Sequence, residues 1–251
     1  SWFILVNVKK DDIVHANTLI NAPILLAAKL KQAVTVIHVM EFAISPKILK
    51  KTLRLFASNF ADTTVYLSEF LRDIEPIKSS NSSLITYPSI DISVSDAGAI
   101  HHKSKDRNSI SSKTVCMVCS LIWFKGYKRF VELARNLPNY KFMLVINGSP
   151  VNFYKEFSDG FLPDNLEIKF NQSAIQDVLG DVGVVVSLTD REGWVETFGL
   201  TLAEAMSFGI PVIAPNIGAQ TEYIVHGYNG FLVNEGEIET IGSILKSIFE
   251  S

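Results

Sequence analysis

Short apolar runs alternate with stretches of helical spacing along the whole chain. The runs that read as strands are DIVHAN (12–17), AVTVIHVM (33–40), TTVYLS (63–68) and LITYPS (84–89). A second series follows: TVCMVCS (114–120), KFMLVING (141–148), LEIKFN (166–171), VGVVVSL (182–188), PVIAP (211–215) and GFLV (230–233). Several are β-branched and apolar at consecutive positions, the pattern of strands covered by helices on both faces. Between them apolar residues recur every three or four positions, as at Phe130, Leu133, Ala134 and Leu137 in GYKRFVELARNLP. Such alternation predicts an α/β protein with right-handed crossovers and doubly wound parallel sheets.

One stretch breaks the rhythm. DISVSDAGAIHHKSKDRNSISSK is polar, rich in serine and without periodicity, and a fresh β-α series follows it. It predicts a first domain over 1–91, a linker over 92–112 and a second domain over 113–251. His101 and His102 fall in that linker and read as solvated side chains.

Composition narrows the function. A chain of 251 residues, 47% hydrophobic and 20% charged, suits two globular domains. A net charge of −3 argues against a surface built to grip a phosphate backbone, so no nucleic-acid partner is expected. No apolar run reaches the ~18 residues needed to span a bilayer. The longest, LINAPILLAAKL, is interrupted by Asn21 and Pro23 and carries Lys29. The opening SWFILVNVKKDD has neither a basic leader nor a small-residue cleavage site, and a cytoplasmic location is expected. The two cysteines, Cys116 and Cys119, form a C-x-x-C pair. On a strand, residues three apart point to opposite faces, so they read as core thiols rather than a metal or redox pair.

The candidate chemistry lies after VGVVVSL. The loop TDREGWVET leads into GLTLAEAMSF, a helix stopped by Gly209 with Pro211 beyond. In α/β sheets ligands bind at the carboxyl ends of strands, and a helix start offers unpaired N–H groups that suit phosphate. Glu196 precedes this helix and Glu204 lies inside it. By themselves they read equally well as a first-turn acid favoured by the helix dipole and an exposed helix residue.

Their surroundings resemble the family 4 glycosyltransferases, retaining nucleotide-sugar enzymes of GT-B fold. The resemblance runs through Ser187, Glu196, Phe198-Gly199-Leu200, Glu204-Ala205-Met206, Gly209 and Pro211-Val212. It continues through Gly218, Glu222-Tyr223-Ile224, Gly227 and Asn229-Gly230-Phe231-Leu232-Val233. WVETFGLTLAEAM looks like bacterial surface-polysaccharide transferases in particular. SLIWFKGYKRF, with Lys125-Gly126, resembles the opening strand-loop of the family's nucleotide domain. DIVHANTLINAP, TVIHVMEF and VYLSEFLRD resemble later strands of its acceptor domain. The implied fold is two Rossmann-like domains whose parallel sheets face across a cleft, the first domain incomplete.

By that resemblance, Lys125 neutralises the donor diphosphate, helped by backbone N–H groups of Thr197, Phe198, Gly199 and Leu200. Glu196 holds hydroxyls of the donor sugar, Glu204 binds the nucleotide ribose, and His38 faces the sugar from the first domain. Catalytic roles thus fall on Glu196 and His38. The partners implied are a UDP- or GDP-sugar and a glycan or lipid-linked acceptor; a lipid-linked acceptor brings peripheral contact at the inner face of the membrane. No cofactor is expected and no metal, since no D-x-D motif stands where a cation would be needed. The chain departs from the family at Cys119-Ser120, where Gly-Arg is common, and at Met40, where His is frequent; Lys128 and Arg129 are the nearby cations for the role of that missing arginine. The alternative is a non-catalytic or degenerate nucleotide-sugar-binding module. Relative to the family, the chain is expected to be a fragment lacking the opening strand with its Gly-rich loop and the C-terminal end. Of the remaining residues, His15 reads as a strand-end residue, Ser68 as a helix cap, and Trp123 and Trp194 as loop aromatics that pack or line the acceptor side.

Overall fold

The computed structural model describes residues 2–78, 82–90, 113–158, 160–172, 175–234 and 237–250. The chain divides into two compact units, Ser1–Pro88 and Ser89–Ser251. The expected linker, with His101 and His102, lies outside the described residues.

After helix α1 (Trp2–Asn7), the first unit runs β1 (Ile13–Asn17), α2 (Ile24–Leu30), β2 (Val34–Val39), α3 (Lys47–Phe60), β3 (Thr63–Tyr66), α4 (Glu69–Ile74) and β4 (Ser82–Ile85). Its four strands lie in the order β1-β2-β3-β4, all parallel. Strand residues alternate in burial: Val14 and Ala16 turn inward, as do Thr35, Ile37 and Val39. Ala16, Ile37 and Val39 build a core with Leu19, Leu25, Leu53, Ala57 and Leu71 under α2, α3 and α4, while Val14 packs with Ala28 and Ala33. Ser68 caps α4, its hydroxyl accepting the Leu71 N–H at 3.1 Å. β4 lies earlier than the expected 84–89. The ladder with β3 pairs Thr63–Tyr66 with Ser82–Ile85, and a further bond from the Thr86 N–H to the Tyr66 carbonyl closes it. Pro88, with no N–H to give, cannot extend it.

The second unit carries β5 (Thr114–Ser120), α5 (Tyr127–Asn136), β6 (Lys141–Asn147), α6 (Pro150–Glu156), β7 (Leu166–Phe170), α7 (Ile175–Leu179), β8 (Val184–Val186), α8 (Leu200–Ser207), β9 (Val212–Pro215), β10 (Gly230–Val233) and α9 (Ile238–Glu250). Its parallel sheet has the order β10-β9-β8-β5-β6-β7. The chain therefore steps outward from β5 to β7, then returns to β8 and steps the other way. The reversal falls between β5 and β8, where crevices open in doubly wound sheets.

Both faces of this sheet are covered. Val115 and Met117 pack with Phe130, Leu144 and Ile146 on one side. Cys116 packs with Met143, Val145 and Val185 on the other. Cys119 sits with the first group, so the two thiols point to opposite faces, as the strand spacing requires. Burial pushes both thiols up to about 12.

Candidate active site

The site is built on two loops clasped together at the β5/β8 reversal. The loop after β5 makes a short 3-10 turn over Trp123–Lys125 and leaves it through Gly126 at φ 82°. A Cβ on Gly126 would lie 2.1 Å from the Leu188 carbonyl oxygen, so only glycine lets the two loops close this far. The loop after β8 turns around Asp190. Its carboxylate accepts the Glu192 N–H at 2.9 Å, its carbonyl accepts those of Gly193 and Trp194, and its own N–H donates to the Phe124 carbonyl at 2.7 Å. Arg129 on α5 pairs with the same carboxylate. Phe124 and Trp194 stack with ring centroids 6.1 Å apart.

This clasp delivers Lys125 to Glu196. The two form an ion pair, roughly four-fifths shielded from solvent on each side. Thr189 donates its hydroxyl to the same carboxylate at 3.3 Å, and the Lys125 ammonium lies 6.0 Å from the centre of the Trp194 ring. The Glu196 carbonyl is held as well, accepting the Ala219 N–H at 3.0 Å beside Gly218.

Three residues on, Gly199 adopts φ 85° and opens α8. Tyr223 braces this start: its hydroxyl donates to the carbonyls of Phe198 at 2.9 Å and Gly199 at 3.0 Å, while its ring packs on Phe198. Burial, then the charge of Glu196, pushes the Tyr223 phenol well above its usual range, which keeps the donor proton in place. The far end of α8 closes as expected: Gly209 turns left-handed at φ 68°, and the N–H groups of Gly209 and Ile210 reach back to Met206 and Ala205.

Lys125, Glu196, Gly199 and Leu200 line one cavity of about 300 Å³, with Ser120, Ser187 and Thr189. The cavity thus holds an ion-paired cation and carboxylate beside a helix start. Thr197 and Phe198 form the turn between Glu196 and Gly199. Glu204 is half-buried one turn into α8, outside the cavity lining, with its carbonyl accepting the Ser207 hydroxyl. Lys128 and Arg129 are directed elsewhere, to Glu156 and Asp190 respectively. His38 belongs to the first unit, on β2. A second cavity of about 150 Å³, lined by Arg129, Arg191, Asn216 and Glu237, shares Ser187 and Thr189 but contains neither Lys125 nor Glu196. Among the described residues no group of three His, Cys, Asp or Glu side chains is placed to hold a metal ion, and no helix is long and apolar enough to cross a membrane.

Sequence reasoning did not single out Thr189 or the Arg129–Asp190 pair, and it named Tyr223 without a role. Asp190 opens a D-x-x-G turn, which was the available signal; nothing local marks its partner 61 residues away.

The family model described as "Glycosyl transferases group 1" matches residues 101–251. A sucrose synthase of Solanum tuberosum is 46% identical over 55 residues, which are 22% of this chain and 7% of that protein. The amylovoran biosynthesis glycosyltransferase AmsK of Erwinia amylovora is 34% identical over 65 residues, 26% of this chain and 16% of that protein. The matches to these curated relatives therefore span only a small part of their length. Among solved structures, Anabaena Alr3699/HepE in complex with UDP superposes with a TM-score of 0.78 at 19% identity, covering 95% of this chain and 69% of that one.

Proposed function

The chain belongs to the glycosyl transferases group 1 family, and on that premise we propose that it is the sugar-transferring part of a retaining enzyme. Its fold is GT-B, two Rossmann-like units each built on a parallel sheet. The donor is a nucleoside-diphosphate sugar, a UDP-sugar first and a GDP-sugar second. The acceptor is a glycan or lipid-linked saccharide of polysaccharide synthesis, handled in the cytoplasm or at the inner face of the membrane.

One observation carries the reading. Lys125 and Glu196 meet in a cavity that opens at the start of α8. When the glycosidic bond to the diphosphate breaks, negative charge grows on the leaving oxygens. On this reading Lys125 and the backbone N–H groups of Thr197 through Leu200, leading into α8, receive it. That charge comes from the protein itself, so the reading calls on no metal. Glu196, released from Lys125, accepts hydroxyls of the donor sugar; Glu204 takes the ribose, and His38 the sugar from the first unit. UDP in the Anabaena protein supports the choice of donor.

The test is Glu196→Ala in the full-length protein, with an unchanged circular dichroism spectrum and loss of transfer expected. Transfer at the parent rate would remove Glu196 from the reaction. A second reading, a binding module without turnover, is favoured by Ser120 standing where the family commonly has arginine. Calorimetric binding of UDP-glucose with neither transfer nor hydrolysis would establish that reading instead.

A further inference from the structure

In the first unit, His15 of β1 and His38 of β2 stack ring on ring, centroids 5.7 Å apart and 22° from parallel. The register explains the meeting. His15 pairs with Val36 and His38 with Asn17, so the two imidazoles rise from the same face of the sheet, one pleat apart. His15 is exposed and His38 half-buried. The Nε2 atom of His38 is sealed from solvent and has no hydrogen-bond partner.

That orphaned atom decides the tautomer. A neutral imidazole carries one proton, on either nitrogen. An N–H buried without an acceptor forfeits its hydrogen bond to water, and a buried charge without a partner costs more again. A bare lone pair is the state of Nε2 that loses least. The proton then belongs on Nδ1. Burial, followed by the charge His15 carries when protonated, also holds His38 below the ordinary histidine range.

We propose that His15 is a positioning residue for His38: its ring clamps the neighbouring imidazole as the neutral Nδ1–H tautomer, so that His38 presents one fixed hydrogen-bond donor to a sugar hydroxyl. This rests on His38 being part of the transfer site. Among the described residues, its in-register neighbours carry no charge. Asn17 and Val65 flank His38 in register on β1 and β3. The Glu41 carboxylate, three residues along, accepts the Leu19 N–H at 3.2 Å, and burial raises its affinity for a proton. The Thr18 N–H holds the His38 carbonyl at 3.1 Å and fixes the backbone under the ring.

The test is long-range nitrogen–proton correlation of the histidine rings in the whole chain, recorded through a pH titration. His38→Ala assigns the signal. In the parent, His38 should show the Nδ1–H pattern. His15→Phe keeps a stacked ring and removes the charge, so the tautomer should persist while the His38 midpoint rises. His15→Ala releases the ring, so an Nε2–H population should appear and the midpoint rise further. An Nε2–H tautomer in the parent, or a His15→Ala spectrum matching the parent throughout, overturns the proposal. These readouts need neither donor nor acceptor, so their failure leaves the Lys125–Glu196 site untouched. Conversely, full transfer by His38→Ala would remove His38 from the transfer site while the tautomer result stood.

Discussion

Replacing Gly126 by alanine tests whether the two clasped loops set the site. Two separable penalties act there. The first is conformational: φ is 82°, and a non-glycine residue in the left-handed region loses ~1–2 kcal/mol. The second is steric: the new Cβ would sit 2.1 Å from the Leu188 oxygen and 2.8 Å from its Cβ. A backbone carbonyl cannot rotate away as a side-chain tip can, so relief requires a backbone shift, and overpacking of this kind costs about 1–3 kcal/mol. Together they predict a loss of ~2–5 kcal/mol. At ~2–4 °C per kcal/mol for a unit of this size, the transition of the second unit should fall by ~4–20 °C. Two controls divide the effect. Gly227 also has a left-handed φ, 78°, but open space around the added carbon, so Gly227→Ala should show the conformational part alone. Gly160 has open space and no left-handed φ, and its alanine variant should melt at or slightly above the parent. Differential scanning calorimetry ranks the three. If Gly126→Ala melts no lower than Gly227→Ala, the close approach to Leu188 does not constrain the loops and the argument fails.

Lys125→Met should weaken UDP binding ~10- to 150-fold, the equivalent of one charge-assisted hydrogen bond of ~1.5–3 kcal/mol; an unchanged Kd by isothermal calorimetry would place the diphosphate elsewhere. Tyr223→Phe removes the donor from the carbonyls of Phe198 and Gly199. It should cost ~1–3 kcal/mol in a denaturant titration, and a variant as stable as the parent would show that the hydroxyl does not anchor the turn. Cys116 bears on alkaline stability. Burial pushes its thiol up to about 12, above the ~8.5 of an unfolded chain, so the native state keeps the proton after the unfolded chain has lost it. Its contribution is complete below about pH 8.5 and is lost as pH rises toward about 12, at ~1.4 kcal/mol per pH unit. Denaturation midpoints across that window should therefore fall less steeply in Cys116→Ala; equal slopes would mean that the thiol ionises freely in the fold.

The apolar runs located the strands of both sheets, and the signal is densest in the second, where burial on two faces leaves Phe142 to Ile146 buried without a break. Where the pattern erred, at β4, the strand is polar and exposed, and its limits come from pairing with β3 rather than from its own residues. The convergence of Lys125 with Glu196 was legible only through family likeness, since the two are 71 positions apart and no spacing rule connects them. Register made the rest invisible. His15 read as an ordinary strand-end residue because nothing in DIVHAN says which residue of β2 will lie beside it. In the same way, the Tyr223 hydroxyl enters the turn at Phe198 from 25 residues downstream.

Because the ammonium of Lys125 and the carboxylate of Glu196 already satisfy one another, arrival of a donor, on the proposed reading, is an exchange of partners rather than occupation of vacant groups. A diphosphate offers Lys125 a stronger anion and thereby liberates the acid for the sugar. On that reading a free monosaccharide, with nothing to trade for the lysine, should bind more weakly than the same sugar carried on a diphosphate.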